Sequence, residues 1–144
     1  MVTGLLGKAS KLKHSQFLRK KEVIVKLIRV AQVAKEPWVD KLFTGPVTKQ
    51  SIIGTDLSKN FLIQQVNFSK GIRNKFHSHS IEQILIVTEG KGIVATDKEE
   101  ITVRPGDVIF IAAGEKHWHG AAKGSTFSHI YVMSPDQKIT QLED

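Results

Sequence analysis

Apolar and polar positions alternate in short runs along most of this chain, and glycine, proline or a polar cluster interrupts each run before a helical period can build. Val23 to Val30 is β-branched and alternating enough to form a first strand. Ala31 to Pro37 reads as a turn or a short helical piece ended by Pro37. Phe43 to Ile53 suits an edge strand, and Asn60 to Phe68 a further one, closed by Ser69-Lys70-Gly71. Arg73 to His79 is extended. Gln83 to Thr88 carries the continuous run Ile84-Leu85-Ile86-Val87, the pattern of a fully buried strand. Glu89-Gly90-Lys91-Gly92, Asp97-Lys98-Glu99-Glu100 and Arg104-Pro105-Gly106-Asp107 are three turns. They separate Ile93–Thr96, Ile101–Val103 and Val108–Ile111, with a loop at Ala112 to Lys116. Trp118–Ala121 and Ser125–Met133 complete the set, with Lys123-Gly124 between them. Ten or so short strands at this spacing define an all-β barrel or sandwich.

Composition narrows the chemistry. The 144 residues fit one domain with 40% apolar content, enough for a core. Cysteine is absent, so disulfides, thiolate metal sites and cysteine nucleophiles are excluded. No apolar stretch has the length of a membrane span or a signal h-region, which points to a cytoplasmic protein with no membrane partner. The net charge is +7, and all of it comes from the beginning of the chain. Lys8, Lys11, Lys13, Arg19, Lys20, Lys21, Lys26 and Arg29 stand against Glu22 alone. The remainder carries equal numbers of acidic and basic residues, which gives no basic face for a nucleic acid. Residues 1–24 are therefore expected to be a basic extension and 25–144 the folded domain. Lys21-Glu22-Val23-Ile24-Val25 can also be encoded by a ribosome-binding sequence followed by a GTG start codon. On that reading residues 1–24 are untranslated leader, and intact mass of the native protein decides it.

The candidate chemistry lies between Gly71 and Gly120. His77-Ser78-His79 and His117-Trp118-His119 hold four of the six histidines. Residues two apart on a strand share a face, so each pair points one way. Gln83 opens the most apolar strand, where an unbonded amide is costly. Imidazoles with one amide oxygen make a neutral ligand set for a divalent first-row metal. Gln83 can instead be an amide that holds a water or His79. His119 is either a proton shuttle or a structural histidine donating to a backbone carbonyl. His129, in phase with Phe127, Tyr131 and Met133, is either a pocket wall or a satisfied core histidine. Trp118 has the opposite parity and is expected in a sheet–sheet or subunit interface. Phe61, Phe76, Leu85, Val87 and Phe110 are expected to be core or pocket lining. Arg73 and Lys75 can attract an anion or stay solvated.

Gly71, His77-x-His79, Gln83 and Gly90 resemble the first motif of the cupin superfamily, and Gly106-Asp107, Gly114 and His117 resemble the second. Gln83 stands where the first motif usually has glutamate, and Ala112 where the second often has proline. The run His-x-His-x-x-x-Gln-x-Leu-Ile-Val-Thr-x-Gly, then Pro-Gly-Asp-Val and Gly-Glu-Lys-His-Trp-His-Gly-Ala, is similar to small single-domain cupins that include manganese-dependent hydroxynitrile lyases. The resemblance implies a jelly-roll-like double-stranded β-helix and a homodimer. It implies His77, His79, Gln83 and His117 as metal ligands and His119 and His129 as catalytic histidines beside them. Manganese is the implied metal, with iron, zinc and nickel as alternatives. The expected activity is Lewis-acid plus histidine acid–base chemistry on a small hydroxy- or enol-type molecule, lyase-like or dioxygenase-like. A non-catalytic metabolite- or metal-binding module is the alternative.

Overall fold

The structure, a computed structural model, describes residues 24–144. The readings made for residues 1–23, including the alternative start, lie outside the described residues. Among the described residues, eleven strands form two antiparallel sheets. Strands β1 (Glu36–Pro37), β2 (Val47–Ile53), β3 (Leu62–Phe68), β5 (Gln83–Gly90), β8 (Val108–Ile111) and β10 (Phe127–Met133) make one, ordered β1-β2-β3-β10-β5-β8. Strands β4 (His77–His79), β6 (Gly92–Thr96), β7 (Glu100–Val103), β9 (His117–Ala121) and β11 (Ile139–Gln141) make the other, ordered β11-β4-β9-β6-β7. From β3 onward the chain passes between sheets at every connection except β6–β7, so sequence neighbours close a barrel rather than a single layer.

The inward faces follow the alternation. Val47, Val66, Phe68, Leu85, Val87, Val94, Val103, Ile111, Phe127, Tyr131 and Met133 are buried together. Burial of a side chain of this size contributes about 1.5–3 kcal/mol. The continuous run in β5 is not buried on both sides, as its pattern suggested. Leu85 and Val87 face the core, but Ile84 and Ile86 stand 37% exposed. Both faces of this strand are apolar, so period two cannot tell inner from outer. Phe61 and Phe110 are likewise exposed and line neither core nor cavity. The strand expected from Val23 does not form over its described residues. Residues 24–29 form no ladder with any described strand, and a 3₁₀ turn follows at Val30–Gln32. The buried Gln50 side chain anchors this segment by donating to the carbonyls of Val30 and Val33, both at 2.8 Å. That holds the segment without a ladder, which explains a strand-like pattern with no strand.

One close approach positions the functional end of the barrel. Arg73 forms an isolated bridge with Gly120 of β9, and a Cβ at Gly120 would run into the Arg73 backbone. Glycine here lets the segment before β4 lie directly on β9. That contact carries Asn74 to the side of His119.

Candidate metal centre

His77 and His79 lie on β4, and His117 is the direct cross-strand partner of His77 on β9. All three are buried. The alternation that sends the two histidines of β4 inward does the same on the neighbouring strand, so three imidazoles converge. Each offers a ring nitrogen within 4.8 Å of the others. Gln83, at the start of β5, brings its amide from the opposite sheet into the same cavity.

The hydrogen bonds fix which nitrogen is free. His77 Nδ1–H donates to the Lys75 carbonyl at 2.7 Å, His117 Nδ1–H to the Glu115 carbonyl at 2.8 Å, and His79 Nδ1–H to Gln137 Oε1 at 2.9 Å. Each acceptor places the proton on Nδ1 and leaves Nε2 as a lone pair. This is the arrangement in which a partner orients a metal-binding histidine. Nε2 of His79, Nε2 of His117 and Oε1 of Gln83 are buried with no partner. An orphaned buried acceptor costs about 1–3 kcal/mol, so three around one histidine cluster are a destabilisation that a cation would relieve. Burial, with the neighbouring imidazoles adding to it, pushes His77 down to about 3 and His117 to about 4. Burial also lowers His79. All three are therefore neutral near neutral pH, the form that ligates.

His119 and His129 stand beside this cluster. His119 stacks at 12° on His117, with centroids 5.8 Å apart, and meets His129 edge-on at 4.8 Å. Both rest on Phe68, at 5.9 Å in each case. Asn74 decides the tautomer of His119. Its Oδ1 accepts the backbone N–H of His119 at 2.8 Å, so its Nδ2 is the group 3.1 Å from His119 Nε2 and donates to it. The His119 proton is thus on Nδ1, and the ring accepts from an amide. It does not donate to a backbone carbonyl, the structural role the sequence allowed. His129 is fully buried with both ring nitrogens unpartnered, so it is not a satisfied core histidine. Burial pushes it down to about 4, and burial helped by the adjacent histidines also holds His119 well below its ordinary value.

The cavity over these groups encloses about 250 Å³. Besides His77, His79, His119, His129, Gln83 and Asn74, its walls include Trp38, Phe43, Phe68, Lys49, Tyr131 and Gln137. The Tyr131 hydroxyl donates to Gln64 Oε1 at 2.8 Å, and burial raises its pKa, so it stays a neutral phenol. Arg73 does not line the cavity. It pairs with Glu143 at 2.7 Å and lies 4.9 Å over the Trp118 ring, which places Trp118 under a guanidinium. Asn74, Gln137 and Lys49 were not singled out as site residues by sequence. Asn74 and Gln137 sit in irregular segments without a period, and Lys49 looks like any strand lysine until its inward parity with buried Val47 is known.

Two antiparallel sheets closed over a buried histidine cluster define a β-barrel protein with a metal-type site. Residues 65–133 match the Cupin domain family, and the chain belongs to the cupin superfamily. It is 40% identical over 69 residues to an (R)-mandelonitrile lyase of Granulicella tundricola, covering 47% of this chain and 53% of that one. The chain thus spans about half the length of that relative. A cupin-like protein of Thermotoga maritima superposes with TM-score 0.70 at 30% identity, over 75% of this chain and 84% of that one. The polyketide cyclase RemF of Streptomyces resistomycificus has the same fold, with TM-score 0.71 at 23% identity over 84% and 89% of the two chains. Among the described residues no helix is long and apolar enough to cross a membrane.

Proposed function

We propose that His77, His79, Gln83 and His117 bind a divalent metal, manganese or alternatively iron, zinc or nickel, and that the chain is an enzyme acting on a small hydroxy- or enol-type molecule. The observation that carries this is the set of orphaned acceptors: Nε2 of His79 and His117 and Oε1 of Gln83 are buried without partners, His79 and Gln83 line one cavity, and ring nitrogens of His77, His79 and His117 lie within 4.8 Å of one another. Bound there, the cation supplies Lewis acidity toward an oxygen of the substrate. The chain's own residues supply the rest. His129 has a free ring lone pair and accepts a proton. His119, with its proton held on Nδ1 by Asn74, donates a hydrogen bond toward developing negative charge. The walls of Phe43, Phe68 and Trp38 exclude water.

A lyase-like reaction is favoured, because acid–base histidines stand beside the ligands and because one relative carries a lyase name. The dioxygenase-like reaction and the non-catalytic binding module are the alternatives. The homodimer belongs to the same proposal: β8 is an edge strand whose Val108 and Phe110 are 66% and 67% exposed. Sedimentation at the monomer mass would count against it.

Metal analysis of purified protein tests the site. One equivalent is expected in wild type, with loss in His77→Ala and in His117→Ala. Metal retained in both variants refutes the ligand set. Release of cyanide or aldehyde from cyanohydrins separates a lyase from oxygen uptake by a dioxygenase, and silence in both favours the binding module.

A further inference from the structure

The charge of the cavity is one-sided. No aspartate or glutamate lines it, and Lys49 is its single lysine or arginine among the described residues. Lys49 faces inward with Val47, and it shares a rung with two other inward residues. It is paired with Val66 on β3, and Val66 with His129 on β10. Two strand spacings separate Lys49 from His129, about 10 Å. Glu36, the cross-strand neighbour of Lys49 on β1, is exposed and makes no ion pair with it. Instead the Lys49 ammonium lies 5.1 Å from the Trp38 ring centroid. Trp38 meets Phe43 edge-on at 5.1 Å, and Phe43 meets Phe68 at 6.0 Å. Phe68 in turn touches both His119 and His129. An aromatic wall therefore runs from the one ammonium of the cavity to its acid–base histidines.

We propose that Lys49 is the specificity residue of this cavity, binding the carboxylate of a small substrate whose apolar, aryl-sized body lies along Trp38, Phe43 and Phe68 and whose oxygen-bearing end sits among the histidines. The proposal rests on the reading of the cavity as a substrate site. Its physics is charge compensation. Four neutral donors leave a bound dication its full charge, Lys49 adds another, and no protein carboxylate offsets either, so an anion is the complementary ligand. At about 250 Å³ the cavity lies below the range of about 300–1,000 Å³ typical of drug-sized ligands, so that anion is small.

The test uses metal-free full-length protein and two probes, 4-(hydroxymethyl)benzoate and its uncharged amide. Binding is read by calorimetry and by tryptophan fluorescence, with Trp38 as the tryptophan that lines the cavity. Wild type is expected to bind the acid at least tenfold tighter than the amide. The preference persists in Lys49→Arg and disappears in Lys49→Met, with Lys49→Gln as the second neutral variant should methionine disturb folding. Equal binding of both probes by wild type, binding of neither, or a preference surviving in the neutral variants overturns the proposal. Metal analysis of each protein as purified, before the metal is stripped, keeps the two readings apart. An acid preference in a protein that never takes up metal leaves Lys49 in place and removes the metal enzyme. Stoichiometric metal without the preference does the reverse.

Discussion

Asn74 shows how one amide sets the chemistry of its neighbour. It is buried, it takes the backbone N–H of His119 on its oxygen, and it presents its NH₂ to the His119 ring. Replacing it with leucine leaves a backbone donor and a ring acceptor without partners. At about 1–3 kcal/mol for an unsatisfied buried group, Asn74→Leu is expected to lower unfolding free energy by at least about 1 kcal/mol in urea titration. Metal content should stay stoichiometric, because Asn74 orients no ligand. Nitrogen NMR of the wild-type ring should show a protonated Nδ1, and a protonated Nε2 would contradict the assignment. The four paired histidines were legible in the sequence because period two alone sends each pair to one side. Asn74 was not. It lies three residues before His77, outside any regular strand, and reaches β9 because glycine at 120 lets the backbones touch.

Strand β11 and the residues around it act as a strap across the histidine edge. β11 pairs with β4, matching Ile139 to His79 and Gln141 to His77. Just before it, Gln137 accepts the Nδ1–H of His79. Just after it, Glu143 takes Arg73 on both carboxylate oxygens and accepts the Phe76 N–H. Those bonds pull Glu143 down to about 2. Loss of a partner that orients a ligating histidine typically reduces metal affinity about 10- to 100-fold. Gln137→Ala is therefore expected to weaken metal binding within that range in a competitive chelator titration, with the barrel intact by circular dichroism. Affinity equal to wild type would show that the strap does not orient His79. The strap was invisible in the sequence because Ile139-Thr140-Gln141 is too short to carry a pattern, whereas β3, β8 and β10 were legible to within two residues. The opposite failure occurred at the start of the described chain. There alternation was present, but the sheet supplied no partner strand, and pattern without a partner is not a strand.

At the scale of the molecule, the histidine cluster is a place where folding and protonation are coupled. In the unfolded chain each imidazole titrates near 6.5, while the fold holds His77 to about 3 and His117 and His129 to about 4. Between those limits the unfolded state binds more protons than the folded one, so unfolding gains as pH falls. The stabilisation is complete above pH 6.5, is lost progressively below it, and is largely gone near pH 4. Each histidine contributes up to about 1.4 kcal/mol per pH unit across that window. A metal bound at the proposed site would act in the same direction, since protons would compete for the same Nε2 atoms. Ligand at about a thousandfold excess over its Kd stabilises by about 4 kcal/mol, which for a domain of this size corresponds to a Tm shift on the order of 10 °C. Thermal melts with manganese and with chelator, taken from pH 8 to pH 4, should therefore form two curves. They are expected to lie apart and flat above pH 6.5, to fall together below it, and to converge near pH 4, where the metal-loaded protein has lost its ligands. A gap that stays constant down to pH 4 would mean that the bound cation is held by groups other than the histidines.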